Sequence, residues 1–233
     1  MTADTSGLRD VWRGGVATWE CDEMGHMNTR FYVARCMEAI ATTFGLAGLP
    51  RLFAPASTTT LAVGSMHIRF LREARAGTSM HMTAGFTSIG DTRADIVIMM
   101  FDSASGECAA TFRIGVSHIE VANGAARAWP EAFAARVAAG LVDTPELALP
   151  RSTGEPPATM SASGARAKEL GLRQLGQGAV LQQACDPFGK CCRRASSRRL
   201  PTASETSSPR CASFAPATAT ATAPISVRPR SNS

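Results

Sequence analysis

From Trp19 to Asn28 the chain reads Trp-Glu-Cys-Asp-Glu-Met-Gly-His-Met-Asn, a short stretch that gathers carboxylates, a thiol, an imidazole and a carboxamide. Acyl transfer from a carbonyl needs a carboxylate that activates water or attacks the carbon, and hydrogen-bond donors for the developing oxyanion. Asp22 supplies the carboxylate. After Asn28, the residues Phe31, Ala34, Met37, Ala41 and Phe44 recur every three to four positions, so a helix is expected to start there. The free N–H groups of a helix's first turn are donors for an anionic oxygen. A turn carrying Gly25 between a strand end and that helix start can set both parts around one carbonyl.

Each of these residues also has a plainer use. A loop Asp commonly bonds its own backbone, His26 can hydrogen-bond within the turn, and Asn28 is a good N-cap. Glu38, in the middle of the expected helix, reads as a solvated charge. Cys21 beside His26 lacks a third orienting group and reads as a small buried thiol. Arg69, Arg72 and Arg75 stand near one strand end, where they can meet phosphates or serve as edge-strand charges. Cys185, Cys191 and Cys192 form no CxxC pair and no histidine follows them, so a zinc site is not expected.

These residues need elements to hold them. Val16 to Glu20 reads as a first strand, and a helix of about 17 residues from Asn28 ends at Gly45, Gly48 and Pro50. From Thr58 to Val121 the period becomes two, as in Met80, Met82, Ala84 and Phe86 against His81 and Thr83. Turn signals at Ala76-Gly77, Gly90-Asp91 and Asp102 to Gly106 divide this region into four strands, two of the turns being hairpin-like. A strand, a long helix and four more strands form an α+β arrangement, an antiparallel sheet with a helix on its face.

The motif Asp22-Glu23-Met24-Gly25-His26-Met27-Asn28 followed by Phe31-Tyr32 resembles the opening of the 4-hydroxybenzoyl-CoA thioesterase branch of the hotdog superfamily, Asp-x-x-Gly-His-x-Asn and then an aromatic. With element order, the resemblance spans roughly residues 12 to 121. It implies a hotdog fold and hydrolysis of an acyl-CoA thioester. Asp22 takes the place of the family's catalytic carboxylate, nucleophile or general base, and the N–H near Thr29 that of its oxyanion donor. His26 and Asn28 would order the turn or touch the substrate, and because some hotdog branches take their carboxylate from the helix, Glu38 is the backup candidate. Met24 and Met27, with Met66 and Phe70, are candidates to line the acyl site, and Arg69 and Arg72 to meet the CoA phosphates. No metal or redox cofactor is implied. Because hotdog sites form between two units, a homodimer or other homo-oligomer is expected. The alternatives are a non-catalytic acyl-binding protein or inactive remnant, and a dehydratase of the same fold, whose own His-containing signature is not found.

The organisation expected along the chain is a hotdog domain over 11–125, a short helix and linker over 126–160, the start of a second repeat over 161–190, and a tail over 191–233. The repeat rests on Gly178 to Gly189, which echoes Gly15 to Gly25 through a shared Cys-Asp-x-x-Gly frame. The tail is rich in Arg, Ser, Pro, Ala and Thr, cannot build a core, and is expected to be disordered or translated out of frame. It holds seven Arg against Glu205 alone, leaving 17 basic and 18 acidic residues in 1–190. The net +5 of the chain thus belongs to its tail, and nucleic acid is not an expected partner. No stretch has the length or apolarity of a signal peptide or membrane span, so a cytoplasmic protein without a membrane partner is expected. Seven cysteines without framework spacing are expected to be reduced thiols.

Overall fold

The computed structural model describes residues 6–150 and 164–173. Five strands, β1 (Arg9–Gly15), β2 (Thr59–Phe70), β3 (Ser79–Ile89), β4 (Arg93–Asp102) and β5 (Cys108–Glu120), form one sheet in the order β1-β3-β4-β5-β2. Every neighbouring pair is antiparallel. Two hairpins, at Gly90–Thr92 and after Asp102, link β3 to β4 and β4 to β5. The third turn signal, Ala76-Gly77, lies instead in a crossover, because β2 occupies the far edge of the sheet and β3 sits on the other side of β4.

The first strand is earlier than the sequence suggests. β1 pairs with β3 from Arg9 opposite Ala84 to Gly15 opposite Ser79, which is the first residue of β3. Beyond Gly15 the ladder runs out, the Val16 N–H goes to the Thr78 carbonyl, and Thr18–Glu20 curls into one 3-10 turn. Val16 to Glu20 is therefore the approach to the turn and not a strand.

Helix α1 (Thr29–Leu46) starts where its cap permits: the Asn28 Oδ1 accepts the Arg30 N–H at 3.1 Å. It buries Phe31, Tyr32, Val33, Cys36, Ala39, Ile40, Thr43 and Phe44, a stripe at helical spacing. Met80, Met82, Ala84 and Phe86 of β3 and Ile96, Ile98 and Met100 of β4 face it in one apolar core. Gly48, at φ 114°, takes the left-handed conformation that lets the chain leave the helix end.

The packed unit continues past residue 125. Helix α2 (Glu131–Ala138) and the residues leading into it bring Trp129, Phe133 and Val137 into the same core. Phe44 stacks on Trp129 at 5.7 Å and on Phe133 at 5.6 Å and meets the edge of Phe86 at 5.2 Å. Residues 141–149, expected to be linker, cross the opposite face of the sheet. Val142 sits where a Cβ on Gly85 would be 2.6 Å from its Cγ2, the Leu147 carbonyl accepts from Thr111 Oγ1 at 3.4 Å, and the Leu149 carbonyl accepts from Arg69 at 2.8 Å. Burying Val97 and Met99 of that face removes apolar surface from water that a single helix layer would leave wet.

A short helix, α3 (Gly164–Glu169), buries none of its residues. The expected repeat at 178–189 and the tail at 191–233 lie outside the described residues, as do Cys185, Cys191 and Cys192. Among the described residues no helix is long and apolar enough to cross a membrane.

Candidate active site

The turn that carries Asp22 is held by its own side chain. Asp22 Oδ1 accepts the N–H groups of Met24 and His26, each at 3.0 Å, and the Asp22 N–H bonds the His26 carbonyl at 2.8 Å. Gly25, at φ 77°, makes the reversal, and its N–H returns to the Asp22 carbonyl. The plainer use of Asp22 is thus real, but it occupies Oδ1 alone. Oδ2 has no hydrogen-bond partner among the described residues, and the side chain is solvent-exposed.

The turn is closed at both ends. The Asn28 N–H donates to the Glu20 carbonyl at 2.8 Å, so the residue before the helix is tied to the residue before the turn. Thr29, the first helical residue, has a main-chain N–H with no acceptor inside the helix. Both Asp22 and Thr29 face one cavity of about 870 Å³.

The crossover between β2 and β3 forms the opposite wall. The Met27 N–H bonds the Ala74 carbonyl at 2.7 Å, and the Ala74 N–H donates to the Tyr32 hydroxyl at 3.0 Å. Tyr32, the one tyrosine of the chain, is buried, meets Phe70 edge-on at 5.2 Å and lines the cavity. Burial pushes its phenol above the ordinary value of 10.0, a shift the Ala74 hydrogen bond opposes. The phenol therefore keeps its proton at neutral pH.

His26 Nε2 lies 2.9 Å from Glu73 Oε2 and 2.8 Å from Arg75 Nη2. One ring nitrogen can donate to the carboxylate or accept from the guanidinium, not both, so the two contacts belong to alternative tautomers or protonation states. Arg72 pairs with Glu107 at 2.6 Å. The cavity wall thus carries Asp22, Glu73, Asp102 and Glu107 against Arg72 and Arg75, and each arginine already faces a carboxylate.

Of the residues singled out in the sequence, Asp22, His26, Met27, Asn28, Thr29, Phe70, Arg72 and Arg75 share this cavity. Arg69 does not: it points to the other face of the sheet and donates to the Leu149 carbonyl, since neighbours along a strand alternate in direction. Met24 is 72% exposed at the tip of the turn and is not on the cavity wall. Met66 packs against the core, whereas Phe70 lines the cavity. Glu38 has both oxygens committed outside it, to Arg35 at 2.9 Å and to the Trp12 indole N–H at 2.7 Å. The Cys21 thiol donates to the Ala17 carbonyl at 3.7 Å and is half-buried, where a buried thiol was expected.

Sequence reading passed over three participants. Tyr32 was legible in principle, because it lies one helical turn beyond Thr29 and so on the same face. Glu73 meets His26 only through the crossover, and Glu20 meets Arg35 across the helix packing, contacts that no local spacing announces.

Solved structures share the fold of this chain at low identity. The SAV2348 protein of Staphylococcus aureus, determined in complex with CoA, is 18% identical with a TM-score of 0.55, over 66% of this chain and 97% of that one. A Pseudomonas putida KT2440 protein gives 16% and 0.53 over 66% and 97%. A thioesterase of Thermus thermophilus, complexed with coenzyme A and Zn, gives 20% and 0.50 over 58% and 96%. No curated protein sequence matches the chain. With the strand order and the helix on one face, these likenesses show the hotdog fold. Residues 16–137, more than half of the chain and the span that carries the Asp22 turn, α1 and β2 to β5, match the thioesterase-like superfamily, and the chain belongs to that superfamily.

Proposed function

We propose that the protein hydrolyses an acyl-CoA thioester to the free acid and CoA, in the manner of the 4-hydroxybenzoyl-CoA thioesterase branch. The observation that carries this reading is the pairing, on one cavity, of Asp22 Oδ2 and the Thr29 helix-start N–H, neither of which has a hydrogen-bond partner among the described residues. Asp22 acts as general base or nucleophile toward the thioester carbon. The Thr29 N–H takes the carbonyl oxygen as it becomes an oxyanion. His26 and Asn28 hold the turn, and the acyl group lies against Met27, Tyr32, Phe70 and Met80, a wall suited to a medium aliphatic or aromatic acyl chain. Arg72 and Arg75 are the cations placed to meet CoA phosphates, after exchange of their present carboxylate partners. Arg69 drops out of that role.

Phe70 of β2 lines the cavity, and among the described residues β2 is an edge strand of the sheet. Phe70 at the end of that strand is half exposed. Both features support a second hotdog unit completing the site, either another copy of this chain or the repeat proposed to begin in 161–190. A second reading has one observation in its favour: Asp22 Oδ1 is fully used by the turn. On that reading the residue only shapes the loop, and the protein binds acyl-CoA without cleaving it.

A panel of acyl-CoAs with a thiol-detecting reagent separates the two. Release of CoA that disappears when Asp22 is replaced supports the hydrolase. Tight binding with no Asp22-dependent release overturns it in favour of the acyl-binding protein.

A further inference from the structure

Glu20 is a carboxylate with 2% exposure in a loop whose neighbours are half or fully exposed. A carboxylate is that deeply buried only when paired and hydrogen-bonded. Its Oε2 accepts the Ala17 N–H at 3.0 Å, and its Oε1 forms an ion pair with Arg35 on the second turn of α1. Arg35 also bonds Glu38 at 2.9 Å, Glu38 takes the Trp12 indole N–H at 2.7 Å, and the Arg35 guanidinium lies over the Trp12 ring. A cross-brace therefore runs from β1 through α1 to the loop. The main-chain carbonyl of the same Glu20 accepts the N–H of Asn28, the last residue before the helix.

We propose, resting on the thioesterase reading, that Glu20 is the positioning residue of the site. It stands two residues before Asp22 and, through space, against the residue that precedes Thr29. Its side chain anchors the entry of the turn to the helix body, and its carbonyl anchors the exit. The separation between the Asp22 carboxylate and the Thr29 N–H is thereby set by Glu20, although Glu20 is not on the cavity wall. The turn's own hydrogen bonds keep its shape; the Glu20 contacts tie it to α1 beside the Asn28 cap, while the Met27–Ala74 bond and the His26 contacts to Glu73 and Arg75 tie it to the crossover. Misplacement of reacting groups by about 1 Å is worth on the order of a hundredfold in rate.

The test is Glu20→Gln in the full chain. Glutamine has one acceptor oxygen for two donors, Ala17 N–H and Arg35, and its amide N–H groups face a cation. Arg35 retains Glu38, so the variant does not strand a lone buried charge. We expect kcat for CoA release to fall at least tenfold with KM within threefold. In amide hydrogen exchange, protection of the Met24, His26 and Asn28 N–H groups falls while that in β4 and β5 is kept. Arg35→Met should lower kcat comparably, and the double variant should be no worse than either alone.

Unchanged kcat, or unchanged protection of those three amides, overturns the proposal. So does a loss of protection spread evenly over β4 and β5, which makes Glu20 a general scaffold acid. If the wild-type chain releases no CoA, the thioesterase reading fails by itself, and the exchange measurement still decides whether Glu20 holds the turn.

Discussion

Asp22 serves the turn with one oxygen and is free with the other, and that division makes its two roles separable by substitution. Asp22→Asn keeps an acceptor at Oδ1 for the Met24 and His26 N–H groups, both at 3.0 Å, and replaces the free Oδ2 by an amide with no basicity. Asp22→Ala removes everything. Two exposed hydrogen bonds are worth about 0.5–1.5 kcal/mol each at most, so Asp22→Ala should cost about 1–2 kcal/mol of stability and Asp22→Asn under about 0.5. The chemical loss should be the same in both. A positioned carboxylate acting on water contributes roughly 10²–10⁴ in rate, or about 3–5 kcal/mol of barrier. The assay is CoA release from a cleaved acyl-CoA beside urea unfolding of each variant, with the mass of the Asn protein checked against deamidation. Equal loss of turnover in both variants, with unfolding midpoint moved only in the alanine form, is the expected pattern. Asp22→Asn that turns over within threefold of wild type would refute the reasoning, because the turn would then be all that Asp22 supplies.

Other consequences follow from the packing and capping. Asn28→Ala removes the acceptor for the Arg30 N–H and should lower stability by about 1 kcal/mol, read from urea unfolding, with Asn28→Asp close to wild type. Burial holds the His118 imidazole below its ordinary 6.5, a shift partly opposed by its hydrogen bonds to the Ala128 and Arg127 carbonyls. The folded protein thus resists a proton that the unfolded chain takes up below pH 6.5. Stability should therefore fall as pH drops from 6.5 toward the depressed folded value, and this dependence should shrink in His118→Gln when midpoints at successive pH values are compared. A chain ended at residue 125 loses Trp129, Phe133 and Val137 from the core. At about 1.5–3 kcal/mol per buried side chain, that is about 5–9 kcal/mol, comparable with a whole domain's stability of about 5–15. Such a truncation should fail to give a cooperative thermal transition, whereas one ended at 150 should keep it.

Local rules carried much of this protein. The span and cap of α1 follow from Asn28 and from apolar residues at helical spacing, and the four later strands from period two cut by glycine turns. The Asp-x-x-Gly-His-x-Asn motif was enough to place Asp22, Asn28 and Thr29 in one short segment, because the segment is a turn stabilised by its own side chain. Such features are decided within about one helical turn of sequence, where no distant partner can override them.

What local pattern could not decide is which face or which end of an element meets another. Arg69 and Arg72 look equivalent along the chain, yet strand alternation and the passage of residues 141–149 send Arg69 to the opposite face of the sheet. The crossover that puts β2 on the far edge brings Glu73 and Arg75 to His26 and Ala74 to Tyr32. Val16 to Glu20 is not a strand because its potential partner, β3, begins only at Ser79. The boundary at 125 looked natural, but an open core filled by Trp129 and Phe133 moves it outward. Glu20 was one acid among several in the sequence, and only the packing of α1 against the turn made it the buried partner of Arg35. The sequence alone determined the chemical groups and the turn that carries them. The tertiary structure decided what faces that turn, because those contacts join residues far apart in the chain and depend on which surfaces the core leaves to be covered.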